Sequence, residues 1–317
     1  MNKLKKKLAF YLIISIILLI QNIPYASTKI KIVNKINNEI ITNFDIQKEY
    51  NYLIALNNEL QKIPLSEGLN IAKDSLIREK IKTSELKKIY ELENFNRYDY
   101  LNNIFQNFYK KLNISSEKEF ENYLKSFDLS VEEVKQKIKL EILWNQLIGL
   151  KYKDQINIDE ENLKKKISQN NLNFKKSIEY DLSEIVFQAK TQEELTAKIN
   201  EIKSNIELIG FSSAANKYSI SESAKFGGKI GKLLESQLST KIRDELKKLE
   251  INQVSKPLNI GGSFLLLFVN DKKEIKLEQD KDKVLKKMIE SERTRQFDQF
   301  SQVYFNKIKL NVQIESY

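Results

Sequence analysis

The chain has 317 residues, 41% of them hydrophobic and 30% charged, which is enough apolar material for a core in each of about two domains. Cysteine and histidine are both absent, so disulfides, thiolate chemistry, Ser-His-Asp catalysis and the commonest metal ligand are excluded; without an Asp-rich loop of EF-hand spacing either, no metal and no cofactor is expected. The formal charge of +10 falls to about +6 without Lys3, Lys5, Lys6 and Lys7, and the other lysines alternate with Glu and Asp along helical stretches, so nucleic acid is not expected as a partner.

Residues 1–26 read as an export signal: a basic start, Met1 to Lys7, an apolar run, Leu8 to Ile20, and Ile23-Pro-Tyr-Ala26 with Ala26 as the residue to cut after. Pro24 departs from the small-x-small pattern. Thirteen apolar residues fall short of the ~20 that span a bilayer, which favours cleavage over a retained anchor and implies no stable membrane insertion afterwards.

The stretch 27–175 reads as a helical module. Residues 30–34 and 39–41 flank the polar turn Asn37-Asn38 as a short hairpin leading into a helix at Thr42 or Asn43. Further helices are predicted over 65–92, over 98–112, from a cap at Ser115 or Ser116, and from a cap at Ser130; Ser116 with Glu119 and Ser130 with Glu133 have capping-box spacing. The last carries Val131, Val134, Ile138 and Ile142 on one stripe and Leu140, Trp144 and Leu147 on another. It therefore packs on two sides, with Trp144 as a core anchor. A break at 157–159 precedes a helix over 160–169.

Five of the eight glycines lie between Gly227 and Gly262, marking 176–275 as a turn-rich unit. Its landmarks are a strand at 180–186, a helix at 211–218, the loop Phe226-Gly-Gly-Lys-Ile-Gly231, and strands around 254–257 and 264–269. Beyond it, 276–317 reads as a long charged helix over 277–304, with Leu285, Met288, Phe297, Phe300 and Tyr304 available for one face, and a strictly alternating strand over 308–314.

Those landmarks, in that order over 179–271, resemble a parvulin-type (PpiC-like) peptidyl-prolyl isomerase domain. With the export signal and the flanking helices, the chain resembles a SurA-type periplasmic chaperone. The resemblance implies a mainly α fold with an α+β part: a SurA N-terminal-like helical module, completed by the C-terminal helix and strand, with the parvulin-like domain inserted. It places Leu310 to Ile314 beside Ile30 to Asn34. It further implies a periplasmic location, ATP-independent holding of unfolded outer-membrane β-barrel precursors, and the outer-membrane assembly machinery as a partner.

Prolyl isomerisation crosses a barrier of about 18–20 kcal/mol without a covalent step, by favouring the twisted amide over the planar one. Parvulins set two histidines around an Asp or Cys near the substrate carbonyl and hold the proline ring in an apolar pocket. On that pattern Glu184, Ser221 and Leu265 fall on the three polar positions, whereas Leu238, Ile242 and Phe264 fall on the pocket. The domain is therefore expected to have lost most or all isomerase activity while keeping surface that binds polypeptide; the alternative is an active isomerase with a histidine-free site. Leu238, Ile242 and Phe264 read equally as core. Glu184 in a low-dielectric site requires a hydrogen-bonding or cationic partner, and the sequence does not reveal one.

Overall fold

The computed structural model describes residues 29–90, 98–169, 177–275 and 281–317; the expected export signal lies outside them. A hairpin opens the helical module, β1 (Ile32–Ile36) against β2 (Glu39–Thr42), with Asn37 in the left-handed conformation that Asn tolerates at a turn. Thr42 then caps α1 (Asn43–Leu56). Its hydroxyl accepts from the Asp45 N–H at 3.2 Å, and the Asp45 carboxylate accepts the Thr42 N–H at 2.8 Å.

Four more helices build the module: α2 (Leu65–Leu86), α3 (Tyr98–Lys110), α4 (Glu117–Lys125) and α5 (Val131–Tyr152); α6 (Glu160–Gln169) follows. Ser130 and Glu133 close the expected reciprocal cap. At Ser116 only half of it forms, because Glu119 turns its carboxylate to the Ser115 N–H. The second helix stops six residues short of its predicted end, at Leu86, and Lys87–Ile89 is a turn. The main core gathers Ile36, Ile41, Leu53, Leu60, Phe105, Phe120 and Val134. Phe105, Tyr109 and Phe120 form an aromatic knot with ring centroids 5.5–5.6 Å apart.

The chain's end returns to this module. Helix α9 (Lys281–Lys309) lays Tyr304 against Trp144, Leu143, Leu147 and Ile148 of α5. Trp144 is fully buried, as its place on the second stripe predicts, and its indole N–H donates to Ser301 Oγ at 2.8 Å. The final strand, β7 (Ile314–Ser316), pairs antiparallel with β1, Ile36 opposite Ile314 and Asn34 opposite Ser316. This corrects the expected strand over 308–314 and its pairing with 30–34. Phe305, Ile308 and Val312 pack onto the helical core at helical spacing, which carries the helix to Lys309 and leaves Leu310 exposed. No described helix is long and apolar enough to cross a membrane.

Inserted between α6 and α9 is an α+β domain: β3 (Ser177–Phe187), α7 (Gln192–Tyr218), β4 (Lys229–Leu234), α8 (Thr240–Leu246), β5 (Leu258–Asn259) and β6 (Phe264–Ile275). The sheet is antiparallel in the order β4-β3-β6-β5. Gly210, at φ 78°, breaks α7 and sets the start of the predicted 211–218 helix. The strand expected at 254–257 reduces to one bridge from Val254 to Phe268, with pairing resumed at Leu258 after Pro257, which has no N–H to offer a ladder. One face of the sheet packs Tyr180, Leu182, Val186, Leu265, Leu267 and Val269 against the α8 side. The other packs Ile185, Phe187, Leu266 and Phe264 against α7. Asn57 of the helical module donates to Asn216 Oδ1 at 2.5 Å and accepts from Ser212 Oγ at 3.0 Å, and Glu67 pairs with Lys217 at 2.5 Å, so α7 is tied to the module by polar contacts.

Candidate functional site

Glu184 lies on β3 opposite Leu267 and, by strand alternation, on the same face as Leu182 and Val186. Its partner is the hydroxyl of Ser223, which donates to Oε1 at 2.9 Å. Ser223 is 2.7 Å from Ser221, Ser221 is 2.8 Å from Ser219, and Ser219 Oγ accepts the Val186 N–H at 3.0 Å. A chain of three serine hydroxyls therefore runs from β3 back to β3. Burial pushes the Glu184 carboxyl above the usual carboxylate range, and its hydrogen bonds to Ser223 and Ser221 offset this only in part.

The loop that holds the serines needs its glycines. The Glu184 N–H donates to the Gly228 carbonyl at 2.8 Å, and a Cβ at Gly228, where φ is 77°, would stand 2.2 Å from the Glu184 carbonyl oxygen. Only a residue without a Cβ lets β3 and this loop approach so closely.

Glu184, Ser221 and Ser223 open onto a cleft of about 1040 Å³ between the inserted domain, the helical module and α9. Its apolar wall comes from Ile104, Phe108, Ile138 and Ile142 of the module and from Phe226 and Ile230 of the inserted domain. The other expected residues go elsewhere. Leu238, Ile242 and Leu265 share one core, on the Glu184 face of the sheet but without lining the cleft. Phe264 points to the opposite face, stacked on Phe187 with centroids 5.8 Å apart, so it shares no pocket with Leu238 and Ile242.

Charged groups form one wall of the cleft. Lys225 pairs with Glu141 at 2.5 Å, and Lys82 bridges Glu141 at 2.8 Å and Glu222 at 2.9 Å, which links α2 and α5 to the inserted domain. Lys137 pairs with Glu49 at 2.6 Å and Glu79 at 2.5 Å. Burial works against the charges of Glu141, Lys225 and Lys137, but the two lysines hold Glu141 well below the usual carboxylate range, and their carboxylate partners hold Lys225 and Lys137 well above the usual lysine range. Across the cleft stands Asp298 of α9, open to the cleft water on one side and pushed up to about 7 by the protein crowding its carboxyl on the other and by the nearby carboxylates Glu222 and Glu184. Glu141, Asp298 and Lys225 carry no local sequence signal. The alternation Ser219-x-Ser221-x-Ser223 was the one available hint of the relay.

The match to known proteins fits this geometry in its class: residues 178–271 match the family model of the rotamase, PPIC-type PPIASE domain, so the inserted domain is a PpiC-type parvulin domain. In particular, a solved PpiC-type peptidyl-prolyl cis-trans isomerase domain is 29% identical over 32% of this chain and 96% of its own, with a TM-score of 0.28. A structure from work on two SurA-like chaperones of Campylobacter jejuni, the virulence factor PEB4 and the periplasmic protein Cj1289, is 18% identical over 90% of this chain and 98% of its own, TM-score 0.36. PrsA from Bacillus subtilis is 17% identical over 75% and 82%, TM-score 0.28. No curated protein matches the chain.

Proposed function

We propose that this chain is an ATP-independent chaperone that holds unfolded polypeptide in the cleft, and that its PpiC-type domain has lost most or all prolyl isomerase activity. The observation that carries the reading is the state of the three polar positions. Glu184 is engaged by serine hydroxyls, Ser221 is the middle of that relay, and Leu265 is buried in the core of a chain with no histidine. A catalyst of amide rotation must bind the twisted state better than the planar one, and Leu265 offers no hydrogen bond with which to do so. The cleft still offers apolar surface, at roughly 25 cal/mol for each Å² a client removes from water. Lysines and carboxylates on the same walls suit a polypeptide of either charge. Unfolded outer-membrane β-barrel precursors in the periplasm are the clients implied by the SurA resemblance, with the outer-membrane assembly machinery as the partner that receives them.

A second reading, an active histidine-free isomerase, draws on one feature. A Glu184 carboxyl raised by burial is able to donate a hydrogen bond as a neutral acid. Both readings are tested on one purified sample, by suppression of aggregation of an unfolded barrel protein and by isomerisation of a Xaa-Pro peptide. The expected result is suppression at near-stoichiometric ratios with no acceleration over the uncatalysed rate. Failure to suppress overturns the chaperone reading. Acceleration comparable with an intact parvulin, abolished by Glu184→Gln, overturns the loss of activity in favour of the second reading.

A further inference from the structure

A second cavity, of about 400 Å³, shares Glu141, Glu222 and Lys225 with the cleft as a common wall. Among the described residues, five carboxylates and five cations line it. Lys82, Lys137 and Lys225 are claimed by Glu49, Glu79, Glu141 and Glu222 in the ion pairs described above. Lys309 is exposed to solvent, whereas Arg78 of α2 is half-buried. Among the described residues no carboxylate lies within 4 Å of its guanidinium and no acceptor takes its N–H groups. Burial thins the water around its half-exposed side chain and pulls its pKa down, and Asp74, Glu49, Glu222 and Glu141 offset this only from longer range. A guanidinium presents five N–H donors in a planar fork, and leaving such donors unmatched in a partly desolvated site is costly.

The chemistry of the lining narrows what would satisfy them. A guanidinium fork fits the two oxygens of one carboxylate in parallel hydrogen bonds. A phosphate brings more charge, which the five carboxylates of the lining oppose; of the four lysines that would offset it, three are already paired and the fourth, Lys309, is exposed at the end of α9. The rest of the lining includes Leu53, Ile77, Ile81, Ile220 and Phe305, which favour an apolar body behind the charged group.

We propose that this chamber binds a singly charged carboxylate carried on a short apolar body, with the Arg78 guanidinium taking both carboxylate oxygens. A free small acid and the C-terminal residue of a polypeptide share that chemistry. Binding of a free acid does not depend on the chaperone reading and is measured without any aggregation assay, so the two fail separately.

The chain carries its own reporter. Trp144, the single tryptophan, donates to Ser301 and lies 5.3 Å from Lys82 Nζ, and both of those residues line the chamber. The test titrates the purified chain with hexanoate and with hexanamide, following Trp144 emission and binding heat. Hexanoate is expected to bind at least about tenfold more tightly, the factor that ~1.4 kcal/mol of charge-assisted hydrogen bonding supplies. Arg78→Gln is expected to remove that preference, and Arg78→Lys, which keeps the charge without the fork, to reduce it. An N-acetylated Ala-Leu-Ile peptide with a free or an amidated C-terminus separates the sources: a free-acid peptide binding more tightly than hexanoate assigns the chamber to chain ends, and hexanoate binding alone assigns it to small acids. Equal binding of acid and amide, or binding of neither, overturns the proposal. So does a preference that survives Arg78→Gln, or inorganic phosphate binding as tightly as hexanoate. Should the Gln variant fail to fold, the comparison of acid with amide on the unaltered chain still decides.

Discussion

Replacing Glu141 with Gln removes the negative charge that Lys82 and Lys225 both hold most closely, while keeping the shape of the side chain. The acid's two oxygens sit 2.8 Å from Lys82 and 2.5 Å from Lys225; after the change one ammonium faces an amide that is itself a donor. Breaking a buried pair by removing one partner costs about 3–5 kcal/mol. Here the three side chains keep 13%, 21% and 27% of their surface exposed, for Lys82, Glu141 and Lys225, and Glu222 remains as a fallback 2.9 Å from Lys82. The expected loss is therefore at or below the lower end, about 2–3 kcal/mol. Urea unfolding at pH 7 reads it, with Glu59→Gln as a control, because the exposed Lys62–Glu59 pair is expected to be worth under about 0.5 kcal/mol. The pH dependence has a definite sign. The folded-state pKa of Glu141 is depressed, so its contribution is fully present above the ordinary carboxylate value of 4.5 and is lost as pH falls from there through the folded value. The gap between parent and variant should stay level from pH 9 to pH 6 and begin to close only below about pH 4.5. A loss no larger than that of the Glu59 control, or a gap that closes near neutrality, would refute the reasoning.

Ending the chain after Gln313 removes β7 and with it the Tyr317 N–H to Val33 bond and the contact between Asn34 Nδ2 and Ser316 Oγ, leaving the buried Asn34 amide without that partner. At a net ~0.5–1.5 kcal/mol per hydrogen bond the melting transition should show a loss of about 2–3 kcal/mol; an unchanged transition counts against the role of the terminal strand. Asp298→Asn tests the raised carboxyl at the cleft. A folded value near 7 against an ordinary 3.8 means that the penalty is absent below about pH 3.8, grows as pH rises, and is complete above about 7. Because the side chain stays open to the water of the cleft, the variant should gain under about 1 kcal/mol at pH 8 and lose that advantage at pH 4, by urea unfolding at both values. An equal gain at both would mean that Asp298 does not feel Glu184 and Glu222.

What the sequence determined by itself is what depends on residues within a turn of one another, or on residue types that are simply missing. The capped start at Ser130 follows from Glu133 three positions on, the buried place of Trp144 follows from helical spacing, and the absence of histidine excludes an imidazole from the parvulin domain whatever its fold. The pleat also contained a correction that position-by-position likeness hid: Phe264 and Leu265 are consecutive on one strand, so they must face opposite sides of the sheet. Tertiary structure decided the rest, because those features are contacts between residues far apart in the chain. The last strand begins at Ile314 rather than at Ile308 because Phe305 and Ile308 are claimed by the helical core. Glu184 finds its hydroxyl partner 39 positions away. The lysines and glutamates that alternate along α2 and α5 look alike in sequence, since charge pattern fixes how many partners exist and not which ones meet. Only the packing of those helices against the inserted domain joins Lys82, Glu141 and Lys225 and leaves the Arg78 guanidinium, on the same helix as Lys82, facing a cavity with no acceptor for its donors among the described residues.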